Sequence, residues 1–167
     1  MREANWTKIS SISELVSSAA IVFTLIYLVI QTEQNFAAIQ ANSRQVAIGS
    51  DLQILATAFS NPNAMLARFK SELTAQEATM LETWLIMLVR SREQLWFQYR
   101  EGLLDRQTWD SYLSGLGGNL STSNTRRWWW NASSLFDADF SAAVDAYLST
   151  VPVSDERPDR FAESAAD

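Results

Sequence analysis

The sequence has no cysteine and no histidine among its 167 residues. Without cysteine the chain forms no disulfide, no zinc–thiolate site and no thiol nucleophile. Histidine is the commonest general base and metal ligand, and a hydroxyl nucleophile usually needs a histidine or a lysine of lowered pKa beside it. Lys8 and Lys70 are the only lysines, and no pair of carboxylates stands in a setting that predicts a shifted pKa. We therefore predict a protein that is not an enzyme and that uses no cofactor and no metal ion.

Basic residues are also scarce. The chain carries 13 Lys and Arg against 19 Asp and Glu, which gives a formal net charge of −6. Nucleic-acid binding depends on clustered Lys and Arg that contact phosphates, and the one conspicuous cluster here is the pair Arg126-Arg127. We therefore expect no nucleic acid among the partners.

The longest apolar stretch of the sequence is Ile9–Ile30, in which Glu14 is the only charged residue. At ~1.5 Å per helical residue this stretch is long enough to cross a hydrocarbon layer about 30 Å thick. Trp6 and Tyr27 lie near its two ends, where amphipathic rings favour the headgroup regions. We interpret residues 9–30 as a transmembrane anchor. The alternatives are a helix buried in a soluble bundle and a signal peptide, although Q-T-E-Q-N-F after Ile30 does not resemble a cleavage site.

The rest of the chain predicts an all-α protein, in which the long transmembrane helix continues into a small soluble helical bundle. Gln31 to Ser60 contain no proline and a single glycine, Gly49, so nothing obliges the helix to stop at the membrane surface. One face of this extension carries apolar residues: Ala41, Ile48, Leu52, Leu55 and Phe59. The predicted divisions are a flank at 1–8, the anchor at 9–30, the bundle at 31–148 and a mobile acidic tail at 149–167.

Proline, glycine and capping residues divide the bundle into further helices. A short helix begins at Pro62, and we expect its inward residues to be Met65, Leu66 and Phe69. A capping box, T-A-Q-E from Thr74, begins a long central helix. The remaining signals are a glycine terminator and two carboxylate caps: Gly102, Asp105 and Asp137.

The second half of the central helix is charged and aromatic. Arg92, Trp96 and Arg100 follow one another at i, i+4 spacing, which allows guanidinium groups to stack on the indole. Glu93 lies one turn after Arg90 and is able to pair with it. The pattern favours a partly buried ion-pair network that fixes the helix register. The alternative is a small-ligand receptor or an enzyme, whose binding residues would be Arg92, Glu93, Trp96, Tyr99 and Arg100.

Two arginines and three tryptophans follow one another without interruption: Arg126, Arg127, Trp128, Trp129 and Trp130. On a helix three consecutive side chains point in three directions, so one core cannot accommodate all three indoles. We expect two indoles to pack in the core and at least one to contact another helix, a neighbouring subunit or lipid headgroups, which suit adjacent Arg and Trp.

Small side chains in the predicted anchor would let a second membrane helix approach closely: Ser17, Ser18, Ala19 and Ala20. We predict that these residues, together with the Arg-Arg-Trp-Trp-Trp run, form the interface with the membrane or a partner. The anchor also contains Glu14, which provides an alternative function. In that alternative the chain is a homo-oligomeric membrane pore, and a ring of Glu14 carboxylates faces the lumen.

Three sequence features occur together between Trp6 and Leu148. They are the anchor pattern I-S-E-L-V-S-S-A-A-I-V-F-T-L-I-Y-L-V-I-Q-T-E-Q-N, the string F-Q-Y-R-E-G-L-L-D from Phe97 to Asp105, and a tryptophan pair before L-F-D-x-x-F. Together they resemble a group of uncharacterised bacterial single-pass inner-membrane proteins. The resemblance implies an N-terminal transmembrane helix followed by a C-terminal helical domain, and it implies no established activity.

We predict a non-catalytic, membrane-anchored helical protein that acts as an assembly, scaffold or accessory subunit of a membrane complex. The expected partners are membrane lipid and either further copies of the chain or another membrane protein. The side of the membrane on which the bundle lies stays open. Arg2 and Lys8 before the anchor, against Arg44 after it, favour a bundle outside the cytoplasm by the positive-inside rule, whereas the resemblance implies the cytoplasmic side.

Overall fold

The computed structural model describes residues 3–157, with side chains at positions 13, 14 and 16–157. This part of the chain is all-helical, as predicted, and contains no β-strand. Its elements are α1 (Glu3–Ser60), α2 (Pro62–Ala67), α3 (Ala75–Arg100), α4 (Arg106–Asn119), α5 (Ser123–Ala132), a 3₁₀ turn (Ser133–Leu135) and α6 (Ala138–Leu148).

The chain divides into two units, Met1–Asn42 and Ser43–Asp167. The uninterrupted course of α1 up to Ser60 confirms the predicted extension of the first helix, and it agrees with the absence of proline before Pro62. The predicted anchor lies in the first unit, where the side chain of Trp6 and those of residues 9–12 fall outside the described positions. We refer to the described part of the second unit, residues 43–157, as the helical head.

Local hydrogen bonds begin and end the helices of the head where the sequence predicts. At the start of α3, Thr74 Oγ1 accepts from the Glu77 N–H at 3.3 Å and Glu77 Oε2 accepts from the Thr74 N–H at 3.0 Å. After α3, Gly102 adopts a φ of 73°, which only glycine adopts readily. The carboxylates of Asp105 and Asp137 accept from backbone N–H groups at the starts of α4 and α6.

The core of the head is built by apolar side chains from all of its helices. The largest fully buried ones lie on α3, on α4, on the residue that follows α4, and on α6: Leu85, Leu88, Val89, Leu116, Leu120, Phe140 and Val144. The part of α1 that belongs to the head buries smaller residues against this core, namely Ser43, Ala47, Ile54 and Ala58. These residues recur at helical spacing, so one side of this part of α1 faces the core.

The short helix α2 packs differently from our expectation. Its buried residues are Ala64 and Ala67, whereas Leu66 is 40% exposed and Met65 is only partly buried. The prediction for Leu66 was therefore wrong. Alanines on the inner side let α2 lie close against α3, Met65 packs at the edge of the core, and Leu66 is directed outwards.

Helices α4 and α6 approach closely at Gly117. A β-carbon at this position would lie 2.4 Å from a ring carbon of Tyr147, far inside van der Waals contact. Gly117 is also buried within α4, where a glycine otherwise weakens a helix. The glycine is thus explained by the space that the tyrosine ring occupies.

Candidate functional site

Arg92 is buried and connects α3 to α1 within the head. Its Nη1 donates to Asp51 Oδ1 at 2.6 Å, and its guanidinium carbon lies 4.9 Å from the centre of the Tyr112 ring. Burial raises the pKa of the Tyr112 hydroxyl, and the negative charge of Asp51 adds to the increase. Beside this pair the hydroxyl groups of Ser50 and Ser91 share a hydrogen bond of 2.8 Å.

Glu93 is also buried, and both of its carboxylate oxygens have a partner. Oε2 accepts from Arg90 Nη1 at 2.6 Å, which confirms the predicted pair. Oε1 accepts from the backbone N–H of Asp137 at 2.6 Å. Arg90 in turn donates to the carbonyl of Leu135 at 2.9 Å and lies over the Phe136 ring. Glu93 therefore fastens the start of α6 to α3.

Trp96, Tyr99 and Arg100 belong to an aromatic cluster at the end of α3. The rings of Trp96 and Trp109 lie 5.2 Å apart, and Tyr99 stacks on Trp109 with an angle of 13° between the ring planes. The guanidinium group of Arg100 lies 5.4 Å from the centre of the Trp96 ring, as the i, i+4 spacing predicts. Arg100 also donates to Asp139 Oδ2 at 3.1 Å, in an exposed salt bridge.

The five candidate binding residues on α3 thus all contact other parts of the head. Sequence reasoning missed Asp51 as the partner of Arg92, because the side of α1 that is buried is known only from the structure. Asp51 lies one helical turn from both Ala47 and Ile54, which mark the buried side of α1. The arrangement positions α1, α3 and α6 by charge-assisted hydrogen bonds. As a ligand site this cluster stays a prediction, and the charged groups of Arg92, Glu93 and Arg100 are already paired within the head.

Arg126 connects the ends of three segments of the head. Its Nε donates to the Leu120 carbonyl at 3.1 Å, its Nη1 to the Leu148 carbonyl at 2.9 Å and its Nη2 to the Val151 carbonyl at 3.1 Å. The first two carbonyls lie at the C-terminal ends of α4 and α6, where a helix leaves carbonyl groups unpaired. We had predicted Arg126 at a membrane or partner interface, whereas its donors are directed at the backbone of the head itself.

Two of the three adjacent indoles pack in or against the core, as predicted, and the third is exposed. Trp129 is 3% exposed, and its Nε1 donates to Asp145 Oδ1 at 2.7 Å. Trp128 is partly buried and packs against the core. Trp130 is 82% exposed. Arg127 is exposed as well, so these two side chains form the outer surface of α5.

The apolar stretch Val16–Ile30 of α1 leaves its side chains exposed. Its large apolar residues are between about half and three quarters exposed: Val16, Ile21, Val22, Phe23, Leu25, Ile26, Tyr27, Leu28, Val29 and Ile30. Within residues 3–157, α1 is the one helix that is long and apolar enough to cross a membrane, and none of its most apolar window is buried. Contiguous exposed apolar surface of this kind marks a site of contact with lipid or protein.

Two hydroxyl groups, one within the stretch Val16–Ile30 and one just after it, form hydrogen bonds inside the helix. The hydroxyls of Thr24 and Thr32 donate to the carbonyls of Ala20 and Leu28, each at 2.8 Å. Such hydrogen bonds within the helix satisfy a hydroxyl group in lipid. Among the predicted interface residues, Glu14, Ser17, Ser18 and Ala20 are exposed and Ala19 is half-buried. Their roles in a membrane interface or in a pore stay predictions.

Two of the surface clefts of the head differ in character. One, of about 420 Å³, is lined by polar and aromatic side chains that include Glu82, Asn124, Arg127 and Trp128. The other, of about 500 Å³, is mostly apolar, and its lining includes Leu55, Phe59, Met65, Leu66 and Phe69. None of the five candidate binding residues on α3 lines either cleft.

The first part of the predicted tail makes hydrogen bonds with the start of α5. The Ser154 N–H donates to the Ser121 carbonyl at 2.9 Å. Asp155 accepts from the hydroxyl and from the N–H of Ser123, both at 2.7 Å, and these hydrogen bonds, the hydroxyl first, lower the pKa of Asp155. Asp155 thus adds a second cap to α5. Residues 158–167 of the predicted tail lie outside the described part of the chain.

Comparison with known proteins found no matching family model, no matching curated protein and no matching solved structure. Within residues 3–157, no group of three or more acidic side chains gathers in an arrangement that would hold a metal ion. The function is therefore inferred from the geometry of the chain itself. The features that bear on it most directly are the exposed apolar part of α1 and the exposed aromatic side chains of the head.

Proposed function

We propose that this chain is a membrane-anchored, non-catalytic helical protein that acts as an assembly, scaffold or accessory subunit of a membrane complex. In this proposal α1 crosses the membrane once, and the helical head binds a partner outside the hydrocarbon layer. The proposed compartment is the bacterial inner membrane, on the basis of the sequence resemblance.

The observation that carries this proposal is the exposure of the apolar side chains of α1. Ile21, Phe23 and Leu25 are 62%, 72% and 57% exposed, although the helix window to which they belong has a mean hydropathy of 1.6. In water such a surface is unfavourable by about 25 cal/mol for each Å² of apolar area. In lipid that penalty does not arise, so a transmembrane position accounts for a helix that the described part of the chain leaves exposed.

A binding role of the head is supported by its exposed aromatic side chain rather than by its charged groups, because the charged groups serve internal packing. Arg92 pairs with Asp51, and Glu93 pairs with Arg90, so these groups hold the helices in place. The exposed aromatic side chain of Trp130, by contrast, has no packing role comparable to that of Trp129. Aromatic side chains are enriched at protein interfaces, where they act as anchors.

The proposal is tested by crosslinking the full-length chain in native membranes, followed by capture and mass spectrometry of the attached proteins. We expect recovery of one membrane protein that differs from the chain itself. The matched variants are Trp130→Ala and Phe97→Ala, since these side chains are 82% and 48% exposed. We expect recovery to decrease markedly with Trp130→Ala, because truncation of an aromatic anchor often costs about 2 kcal/mol or more, and to stay unchanged with Phe97→Ala.

Two results would contradict the proposal. The first is a chain that leaves the membranes without detergent. The second is a chain that stays strictly monomeric in mild detergent and captures no other protein. Unchanged recovery with Trp130→Ala would remove Trp130 from the interface but would leave the proposed anchoring and the partner in place.

A further inference from the structure

We infer that the part of α1 that belongs to the head forms a parallel homodimer with the same helix of a second copy. This inference rests on the proposed function, because the membrane anchor is what makes the two copies parallel. The surface concerned, which we call the α1 stripe, consists of four exposed apolar residues: Ile48, Leu52, Leu55 and Phe59.

The α1 stripe is not covered by the head's own core. Its four residues are 57%, 61%, 51% and 85% exposed, in chain order. The side of α1 that does face the core carries Ser43, Ala47, Ile54 and Ala58, and at 100° per residue this side is separate from the α1 stripe. An apolar stripe that has its own face and stays exposed among residues 3–157 is typical of an interaction surface.

The spacing of the α1 stripe favours another helix as the partner. Ile48, Leu52, Leu55 and Phe59 follow one another at intervals of four, three and four residues, which is the repeat of the a and d positions in a coiled coil. In such a coil each side chain inserts between side chains of a facing helix. Two copies of one stripe fit each other in this way around a two-fold axis, so the surface is complementary to itself.

The charge around the α1 stripe permits the approach of a second copy. With a net charge of −6, two copies of the chain repel each other in general. Between Gln45 and Ser60, however, Asp51 is the only charged residue, and its carboxylate is paired with Arg92 at 2.6 Å. A second copy therefore meets no unpaired charge on this stretch of α1 itself. The charged residues beside it are Arg68 and Arg157, which line the same cleft as Leu55 and Phe59, and positive charge there does not add to the repulsion between two acidic chains.

Small residues beside the α1 stripe leave room for a second helix. Gly49 and Ala56 flank it, and a β-carbon on Gly49 would meet nothing within 4 Å. The packing of the chain itself therefore does not explain a glycine at this position, which costs roughly 0.5–1 kcal/mol relative to alanine inside a helix. Close approach of another backbone does explain it.

Lipid does not cover the α1 stripe in a chain that is anchored at residues 9–30. The apolar helix Val16–Ser60 has 45 residues, and at ~1.5 Å per residue a helix of that length is about twice as long as a hydrocarbon layer is thick. A helix that crosses the membrane near its start therefore leaves its end outside. Because all copies are inserted in the same orientation, their stripes are parallel and present at a high effective concentration.

The absence of cysteine from the natural chain allows a direct test. Single substitutions Ile48→Cys, Leu52→Cys and Leu55→Cys are introduced into the full chain and oxidised with copper phenanthroline in its own membranes. We expect covalent dimers at all three positions, because residues at a and d positions meet their counterparts in a parallel dimer. The matched controls Gln53→Cys and Thr57→Cys lie on the exposed side of α1 away from the stripe, and we expect at least about fivefold less dimer there.

A second variant tests whether the apolar surface is responsible. Adding Leu52→Glu to Ile48→Cys places like charges opposite each other and should abolish the dimer, whereas adding Gln53→Glu should leave it unchanged. Leu52 is exposed, so its substitution leaves the core of the head intact.

Equal dimer yields at Gln53→Cys and at the stripe positions, or no dimer at any stripe position, would overturn the inference. Retention of the chain after alkaline carbonate washing and capture of a different protein are measured in the same membranes. If the chain is retained in the membranes but the stripe positions give no more dimer than the controls, the homodimer is excluded and the proposed function stands. If the chain is not retained after carbonate washing, the proposed function is excluded.

Discussion

The first part of α1 and the helical head contain the same kinds of apolar side chains in opposite environments. Phe140 in the head is fully buried, whereas Phe23 in α1 is 72% exposed. The helices of the head enclose its apolar residues, whereas no helix encloses the apolar side chains of α1 between residues 16 and 30 in the described part of the chain. Apolar content alone therefore does not identify a core, because the same kinds of side chain are enclosed in the head and exposed on α1.

The two regions also differ in the hydrogen-bond partners of their polar side chains. In α1, the hydroxyls of Thr24 and Thr32 donate to the backbone one turn earlier in the same helix. In the head, Arg126 and Glu93 connect separate segments of the chain. Hydroxyl groups of the head also bond within a helix, as Thr79 does to the Ala75 carbonyl, but the head in addition uses polar groups to fix the positions of its helices.

The largest effect is expected from charge in the middle of the predicted anchor. Phe23→Asp combined with Ile26→Asp should largely prevent association with membranes, because each carboxylate near the helix centre costs about 2.5–3.5 kcal/mol. Association is measured by flotation of the chain with lipid vesicles. Phe97→Asp, at an exposed position of the head, is the control and should float like the natural chain. Complete flotation of the double variant would contradict the difference between the two regions.

The second largest effect is expected when one phenylalanine from each region is replaced by alanine. Phe140→Ala should lower the free energy of unfolding of the head by about 3–5 kcal/mol, because it leaves a cavity in a packed core. Phe23→Ala should change this free energy by less than about 0.5 kcal/mol, since its ring is outside the core. Both are measured by urea unfolding in mild detergent, followed by tryptophan fluorescence. Similar losses for the two variants would mean that Phe23 packs against the head.

A smaller difference is expected between the two adjacent arginines. Arg126→Leu should lower the free energy of unfolding by about 2–4 kcal/mol, because three carbonyl groups lose a charged hydrogen-bond donor. Arg127→Leu should change it by less than about 0.5 kcal/mol, since this side chain is exposed on α5. The same urea titration measures both variants. Equal effects would show that Arg126 has no special part in joining α4 and α6.

The smallest effect concerns the acid end of the pH range. The salt bridge with Lys70, followed by the hydrogen bonds from Thr74, lowers the pKa of Glu77 from 4.5 to about 2. Because the folded-state pKa lies below the unfolded one, the stabilisation by Glu77 is complete above pH 4.5 and is lost as the pH decreases towards 2. The melting temperatures of the natural chain and of Glu77→Gln should therefore converge over this range. Curves that stay parallel down to the acid limit would rule out this contribution.

The features of the fold that depend on short-range signals were predictable from the sequence. The capping box at Thr74 and Glu77 and the left-handed Gly102 involve residues only a few positions apart. The continuation of α1 to Ser60 follows from the absence of proline before Pro62. Each of these features depends on backbone geometry that neighbouring residues determine, so the sequence contains the necessary information.

Contacts between distant parts of the chain were not predictable in the same way. The sequence does not reveal which of the adjacent residues Arg126 and Arg127 turns inwards, because the answer depends on where α6 ends. The outward position of Leu66 likewise depends on how closely α2 lies against α3. In the candidate site, the pair of Arg90 and Glu93 was predicted from its helical spacing, whereas Asp51 came from a helix 41 residues away.

The exposed indole of Trp130 was predictable in part. Helical geometry required that the side chains of Trp128, Trp129 and Trp130 point in different directions, so at least one of them had to leave the core. The sequence did not reveal which one. The carboxylate of Asp145, which accepts the hydrogen bond from the buried Trp129 indole, lies on another helix, so local spacing does not reveal this contact.

The most direct test of membrane anchoring is an alkaline carbonate wash of membranes that contain the complete, unmodified chain, with no detergent present. If α1 is surrounded by lipid, the chain stays in the membrane pellet after the wash, because carbonate removes only peripherally attached proteins. Recovery of the intact chain in the aqueous supernatant would contradict a transmembrane α1. The exposed apolar residues would then have to be covered by protein.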